Sequence, residues 1–139
     1  MSAENLDDLL NLHCVELPKG TPTLEPAVVE RLLAQVPGWE LVRASDRSIS
    51  RTRPPTGSDG QALQLSTRLA DFRAAIELVN KVAALAEEEQ HHPDIRIHGY
   101  RNLVLELSTH SIGGLSLNDF IMAAKINALN MGAPPPSPR

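Results

Sequence analysis

Between Leu69 and His110 the hydrophobic period of the chain changes from that of a helix to that of a strand, and no other feature limits the fold as much. The stretch "LADFRAAIELVNKVAALAEEEQ" places Phe72, Ala75, Ile76, Val79, Val82, Ala83 and Ala86 at the three- and four-residue spacing of one helical face. Asp71 stands near its start, where the helix dipole favours an acid. Pro93 then stops the helix, because proline has no amide hydrogen to continue the ladder. "DIRI" and "NLVLELSTH" follow with a period of two: Leu103, Leu105 and Leu107 point one way, and Val104, Glu106 and Ser108 the other. A strand with one apolar side needs cover on that side, and the preceding helix is long enough to supply it.

The rest of the chain repeats this scheme. "TLEPAVVERLLAQV" opens at Thr23 with a cap-type residue, an early acid and an early proline, runs at helical spacing, and ends at Pro37-Gly38. "WELVR" (39–43) and "ALQLSTRL" (62–69) alternate as strands. In "GGLSLNDF" a glycine turn leads to Ser116 as a cap with Asp119 three residues on, and a last helix is expected from about Leu117 to Leu129 with Phe120, Ile121 and Ala124 on its apolar face. The order helix, two strands, helix, two strands, helix predicts an α+β fold, a four-stranded antiparallel sheet with about three helices packed on one face. Aromatic residues make up only 3% of the chain, so the core is expected to be built from Leu, Val, Ile and Ala.

A length of 139 residues suits one domain, placed at 23–130. Residues 1–22 read as an N-terminal extension: a short amphipathic patch (Leu6, Leu9, Leu10) that either docks or stays mobile, then a loop, "LPKGTP". Residues 131–139 read as a disordered Pro-rich tail. The connection 44–60 is long and carries Arg47, Arg51 and Arg53; it is expected to be a solvated loop or to extend the strand ladder. A formal net charge of −4 argues against general nucleic-acid binding, which needs a concentrated basic surface. No apolar run approaches the roughly 20 residues of a membrane span, and the N-terminus lacks a basic, apolar signal pattern. With Cys14 as the single cysteine, no internal disulfide is possible and a cytoplasmic setting is expected.

The chemistry concentrates after the long helix. Glu87, Glu88 and Glu89 crowd its C-terminal end, where an acid opposes the dipole by a few tenths to about 1 kcal/mol. Local rules tend to be broken where a site needs the residues for another purpose. Glu87 and His91 are four apart and are expected to touch, the carboxylate setting the tautomer of the imidazole. His92 points about a third of a turn away, so the two rings can grip different parts of one ligand, and Pro93 sets where both are aimed. His110 ends the strand "NLVLELSTH" and converges on the pair if that strand crosses beneath the helix end. Histidine, with an ordinary pKa of about 6.5, suits proton transfer near neutrality. Glu88 and Glu89 read as solvated. The competing readings are a solvated helix end and a zinc site of Glu87, His91 and His110; two adjacent histidines are poor co-ligands in a helix and no cysteine assists. No serine sits in an elbow or triad context. Spacing alone leaves a candidate acid–base site.

Glu87, three residues, His91-His92-Pro93, six residues, Tyr100, nine residues, His110, eight residues, Asp119 resembles the signature of the pterin-4a-carbinolamine dehydratases, and "PGW", "GYRN", "STH", "GGLS", "NDF" and "AAKIN" resemble that family too. The resemblance covers about residues 25–130. It implies a small α+β protein that dehydrates 4a-hydroxytetrahydropterin to quinonoid dihydropterin, recycling the pterin of aromatic amino-acid hydroxylases without a metal or redox cofactor. In that reading His91 and His110 transfer protons, and Glu87 orients His91 or contacts the pterin. His92 positions the pterin, Pro93 and Asp94 are further substrate-binding positions, and Tyr100 and Asp119 support the site. Ile95 stands where the family often has an aromatic residue. The resemblance also implies a homodimer or homotetramer built through sheet edges and helices. The extension around "CVELPKGTP" resembles dehydratase-like proteins of plants and bacteria, some of which resemble assembly factors for RuBisCO; the alternative is therefore a chaperone with a RuBisCO subunit as client. The enzymatic reading expects segments 1–22 and 44–60 to be dispensable for turnover.

Overall fold

The computed structural model describes residues 9–44 and 56–132. In chain order its elements are α1 (Pro26–Leu33), β1 (Trp39–Arg43), β2 (Gln61–Arg68), α2 (Phe72–Glu89), β3 (Asp94–His98), β4 (Asn102–Leu107) and α3 (Leu117–Gly132). The strands form one antiparallel sheet in the order β1-β2-β4-β3. The register sets Leu63 opposite Leu107, Leu65 opposite Leu105 and Trp39 opposite Leu65. These residues enter one core with Leu32 of α1, Leu78, Val82 and Ala86 of α2, and Phe120, Ile121 and Ile126 of α3. The α+β architecture is thus the one the periodicity predicts.

Three local expectations are corrected. α1 starts at Pro26, not at a Thr23 cap. A residue before proline is kept out of the helical region, and Glu25 is accordingly extended at φ −69° and ψ 149°. Thr23 instead ties the chain to the turn at 56–60: its hydroxyl accepts the Ser58 N–H at 2.9 Å and donates to Asp59 Oδ1 at 3.0 Å. On β4, Val104 and Glu106 are also buried, although they point away from the core cluster. β4 lies between β2 and β3, so Val104 is flanked by Ser66 and Arg96, and Glu106 by Gln64 and Asp94. The buried stripe of α2 is Ala75, Leu78, Val82, Ala86 and Glu89, while Phe72 and Ile76 remain exposed. The apolar arc of this helix is wider than the sheet can cover.

The starts of α2 and α3 agree with the sequence reading. Asp71 accepts the Ala74 N–H at 2.8 Å and opens α2. Ser116 and Asp119 form a reciprocal cap on α3: the Ser116 hydroxyl accepts the Asn118 N–H at 3.1 Å, and Asp119 accepts the Ser116 N–H at 3.0 Å. The Trp39 indole donates to Asn127 Oδ1 at 2.9 Å, and Asn127 donates to Pro37 O at 3.0 Å, tying α3 to the turn at Gly38, whose φ of +91° favours glycine.

The start of the described chain docks. Leu9 is buried in the core cluster, and Lys125 Nζ donates to Leu10 O at 3.0 Å. Leu6, the three arginines 47, 51 and 53, and most of the Pro-rich tail lie outside the described residues. Among the described residues no helix is long and apolar enough to cross a membrane.

Candidate active site

α2 ends abruptly. Gln90 takes the left-handed conformation at φ 55°, and the His91 N–H turns back to Ala86 O at 3.2 Å. That closure leaves few helical carbonyls unpartnered, but a non-glycine residue there costs about 1–2 kcal/mol. Such strain gathers at functional sites. Its consequence is directional. The chain leaves the helix after Glu89, so His91 no longer projects along the face of Glu87.

The expected Glu87–His91 contact is therefore replaced by two others. Glu87 Oε2 meets His92 Nε2 at 2.6 Å, a pair in which both side chains are mostly exposed. His91 Nε2 meets Asp119 Oδ1 at 2.7 Å, with only 11% of the His91 side chain exposed and none of Asp119. The second carboxylate oxygen of Asp119 accepts the Thr109 hydroxyl at 2.8 Å and the Ser116 N–H at 3.0 Å. Thr109 and Ser116 are themselves hydrogen-bonded at 2.7 Å. A rigid, fully partnered carboxylate thus holds His91 from α3.

His110 stands on an exposed turn just past β4, closed by Gly113 N–H bonds to Thr109 O at 3.0 Å and His110 O at 3.3 Å. His91, His92 and His110 line one open cleft of about 600 Å³, together with Ser108, Thr109 and Ser111. That volume falls within the usual range for small-molecule sites. Other expected residues fall elsewhere. Pro93 and Asp94 lead into β3 beside the cleft and do not line it. Tyr100 sits in the β3–β4 turn, 59% exposed, with the Arg101 guanidinium 5.9 Å from its ring. An antiparallel hairpin puts its turn at the end of β4 opposite His110, so within this chain Tyr100 is outside the cleft. Among the described residues no group of three His, Cys, Asp or Glu side chains is arranged to hold a metal ion, and Glu87, His91 and His110 do not form one.

Residues 14–17, which sequence reasoning set apart as an extension, line the same cleft. Glu89, read as solvated, is the residue that holds them, its side chain only 2% exposed. It accepts the Cys14 N–H at 2.7 Å through Oε1 and meets His13 Nδ1 at 2.8 Å through Oε2, with Lys125 Nζ at 3.6 Å. Burial pushes this carboxyl up, but the Cys14 amide, His13 and Lys125 outweigh it and hold the group below its ordinary value. Asn118 grips the next residue from both sides, accepting the Val15 N–H at 3.0 Å and donating to Val15 O at 2.7 Å. Ser111 donates to Leu17 O at 3.1 Å. The signal for Glu89 was present in the spacing: it continues the stripe of Leu78, Val82 and Ala86, and a carboxylate on a buried stripe demands buried partners. Cys14, in the same segment, has its thiol pushed from the ordinary 9.0 up to about 12, chiefly by burial and then by Glu89 and Asp119. It is a protonated thiol at neutral pH and no nucleophile.

Comparison with known proteins places the chain among relatives. The family model described as "Pterin 4 alpha carbinolamine dehydratase" matches residues 22–129. A "Putative pterin-4-alpha-carbinolamine dehydratase" of Stenotrophomonas maltophilia (strain K279a) is 38% identical over 130 residues, covering 94% of this chain and 98% of its own. A protein of the same name from Rubrobacter xylanophilus is 37% identical over 124 residues, covering 89% of this chain and all of its own. Among solved structures, the crystal structure of a transcriptional coactivator/pterin dehydratase from Brucella melitensis superposes with a TM-score of 0.60 at 26% identity, over 78% of this chain and 98% of that one.

Proposed function

Because the chain belongs to the pterin 4 alpha carbinolamine dehydratase family, we propose that it dehydrates 4a-hydroxytetrahydropterin by acid–base catalysis and so returns the pterin of a hydroxylation reaction to use. The observation that carries this reading is the meeting of three imidazoles on one cleft, one of them held by a buried carboxylate. The reaction removes a hydroxyl from a ring carbon and a proton from the adjacent ring nitrogen, which is two proton transfers. His91 and His110 are the proton-transfer pair, each such group contributing typically about 10²–10⁴-fold. With Nε2 of His91 committed to Asp119, its Nδ1 is the nitrogen that exchanges a proton with substrate. Asp119 is the positioning residue for His91, by the same logic that lets a buried aspartate orient a catalytic histidine in a triad. His92, paired with Glu87 on the exposed rim, positions the pterin.

The test is direct. Purified protein should accelerate dehydration of 4a-hydroxytetrahydropterin after chelator treatment, and His91→Ala and His110→Ala should each lower kcat strongly. Equal rates with and without the protein would refute the activity, and loss on chelation with recovery on zinc addition would refute the metal-free mechanism.

The exposed Phe72 and Ile76 on α2 and the exposed Ile95 on the edge strand β3 are the surfaces we assign to self-association into a dimer or tetramer. Phe72→Glu should lower the molar mass measured by light scattering; an unchanged mass removes α2 from the interface.

A further inference from the structure

The wall formed by residues 14–17 has a chemical character that the acid–base reading does not use. Its backbone is fixed on both sides of Glu16: Asn118 clamps Val15 through both polar backbone atoms, and Ser111 holds Leu17 O. Glu16 lies between these two anchors, lines the cleft and is exposed. The charges behind it are arranged unevenly. The His13 ring and the Lys125 ammonium are engaged with Glu89, while Asp119 stands behind His91 and Glu87 is on His92 at the rim.

We propose that the strap Cys14–Leu17 is the specificity wall of this site, latched by Glu89 and Asn118, and that the carboxylate of Glu16 makes it select against pterins whose side chain is anionic. The proposal rests on the pterin reading above and names the substrate class within it. Pterins share one ring system and differ chiefly in the substituent on the pyrazine ring, which is either a neutral hydroxyalkyl group or a group bearing carboxylate. A neutral side chain meets Val15 and Leu17 without penalty. A carboxylate brought into the cleft meets Glu16, and because both charges keep contact with water the discrimination is modest and falls with salt.

The experiment uses the full chain and two probes of similar size, neutral 6-hydroxymethylpterin and anionic 6-carboxypterin, with affinities measured by fluorescence titration at low ionic strength. Wild type should bind the neutral probe about three- to tenfold more tightly, with the ratio shrinking towards one as salt rises. Glu16→Gln should bring the ratio near one and Glu16→Lys should invert it, with the affinity for the neutral probe within about twofold throughout. In a Glu89→Gln background the strap is unlatched, so the Glu16→Lys step should change the ratio by less than half as much as it does in wild type. A direct field effect of Glu89 alone would leave the two steps additive, and that outcome would remove Glu89 from the latch. Equal ratios in wild type, Glu16→Gln and Glu16→Lys would overturn the specificity wall while leaving the dehydratase reading intact. Failure of wild type to bind either pterin would overturn both.

Discussion

His91 Nε2 lies 2.7 Å from Asp119 Oδ1, and the other oxygen of the same carboxylate caps α3 by accepting the Ser116 N–H. One buried side chain therefore starts a helix and sets the tautomer of a histidine 28 residues earlier in the chain. The two duties suit each other. A capping carboxylate at a helix N-terminus is held in place by the amide it accepts from, and a fixed acceptor is what an imidazole needs to be aimed reproducibly.

Asp119→Asn removes an acceptor that serves three donors and turns part of it into a donor. kcat should fall by about 10²–10⁴-fold, with KM within about threefold, because the change is felt when the proton moves. Stability should also drop by about 1–3 kcal/mol, since a buried polar atom loses its partner. Thr109→Val disturbs the same cluster without touching His91, so it should lower Tm and leave kcat within about fivefold. Steady-state kinetics and thermal melts on both variants check this. Equal kcat losses in the two would mean that Asp119 matters only as a structural cap.

Glu87→Gln should have a small effect. Its pair with His92 is mostly exposed, and exposed ion pairs are worth about 0.2–1 kcal/mol. KM for the pterin should rise by no more than about fivefold, and less at high salt. A loss of kcat larger than that of Asp119→Asn would restore Glu87 as the partner of His91.

The Glu89 latch should open on acidification. Its carboxyl is held below its ordinary value in the folded chain, so the stability it contributes is complete above the unfolded glutamate range and is lost as pH falls through the folded value. Amide exchange at Cys14 and Val15, corrected for intrinsic rate, should be protected at pH 6 and lose protection well below pH ~4.3, while the Leu105 amide stays protected. Protection at Cys14 that is flat down to the global acid transition would show that the latch does not depend on this carboxylate.

Cys14 provides the opposite sign. Its thiol is pushed up to about 12, so its contribution is complete below the ordinary value and is lost only as pH rises towards that limit. Alkylation by iodoacetamide at pH 8.5 should be on the order of 10²–10³ times slower in the folded protein than in denaturant, following the thiolate fraction. A folded-state rate equal to the denatured one would mean that the strap is not docked.

Much of the fold was legible locally. The strand periods, the Asp71 and Ser116 caps, and the turn at Pro37-Gly38 each depend on neighbours within a few residues, and local steric and hydrogen-bonding rules operate at that range. The start of α1 was misjudged because the constraint of Pro26 on Glu25 outweighs a good capping residue two positions earlier. His91, His92 and His110, singled out in the sequence as a candidate acid–base set, line one cleft in the structure.

Which groups meet was decided by tertiary structure. Helical spacing predicts that Glu87 faces His91, but that rule holds only while the helix continues, and the left-handed Gln90 ends it one residue too soon. The partner of His91 then comes from α3, and the partner of Glu89 from a strap 75 residues upstream. Sequence alone settled the alternation of apolar and polar residues, and through it which elements form. The pairing of carboxylates with imidazoles and backbone amides depends on where the sheet and its helices bring distant ends together. Desolvation then penalises every unpartnered charge, so the fold selects the pairs that the sequence leaves open.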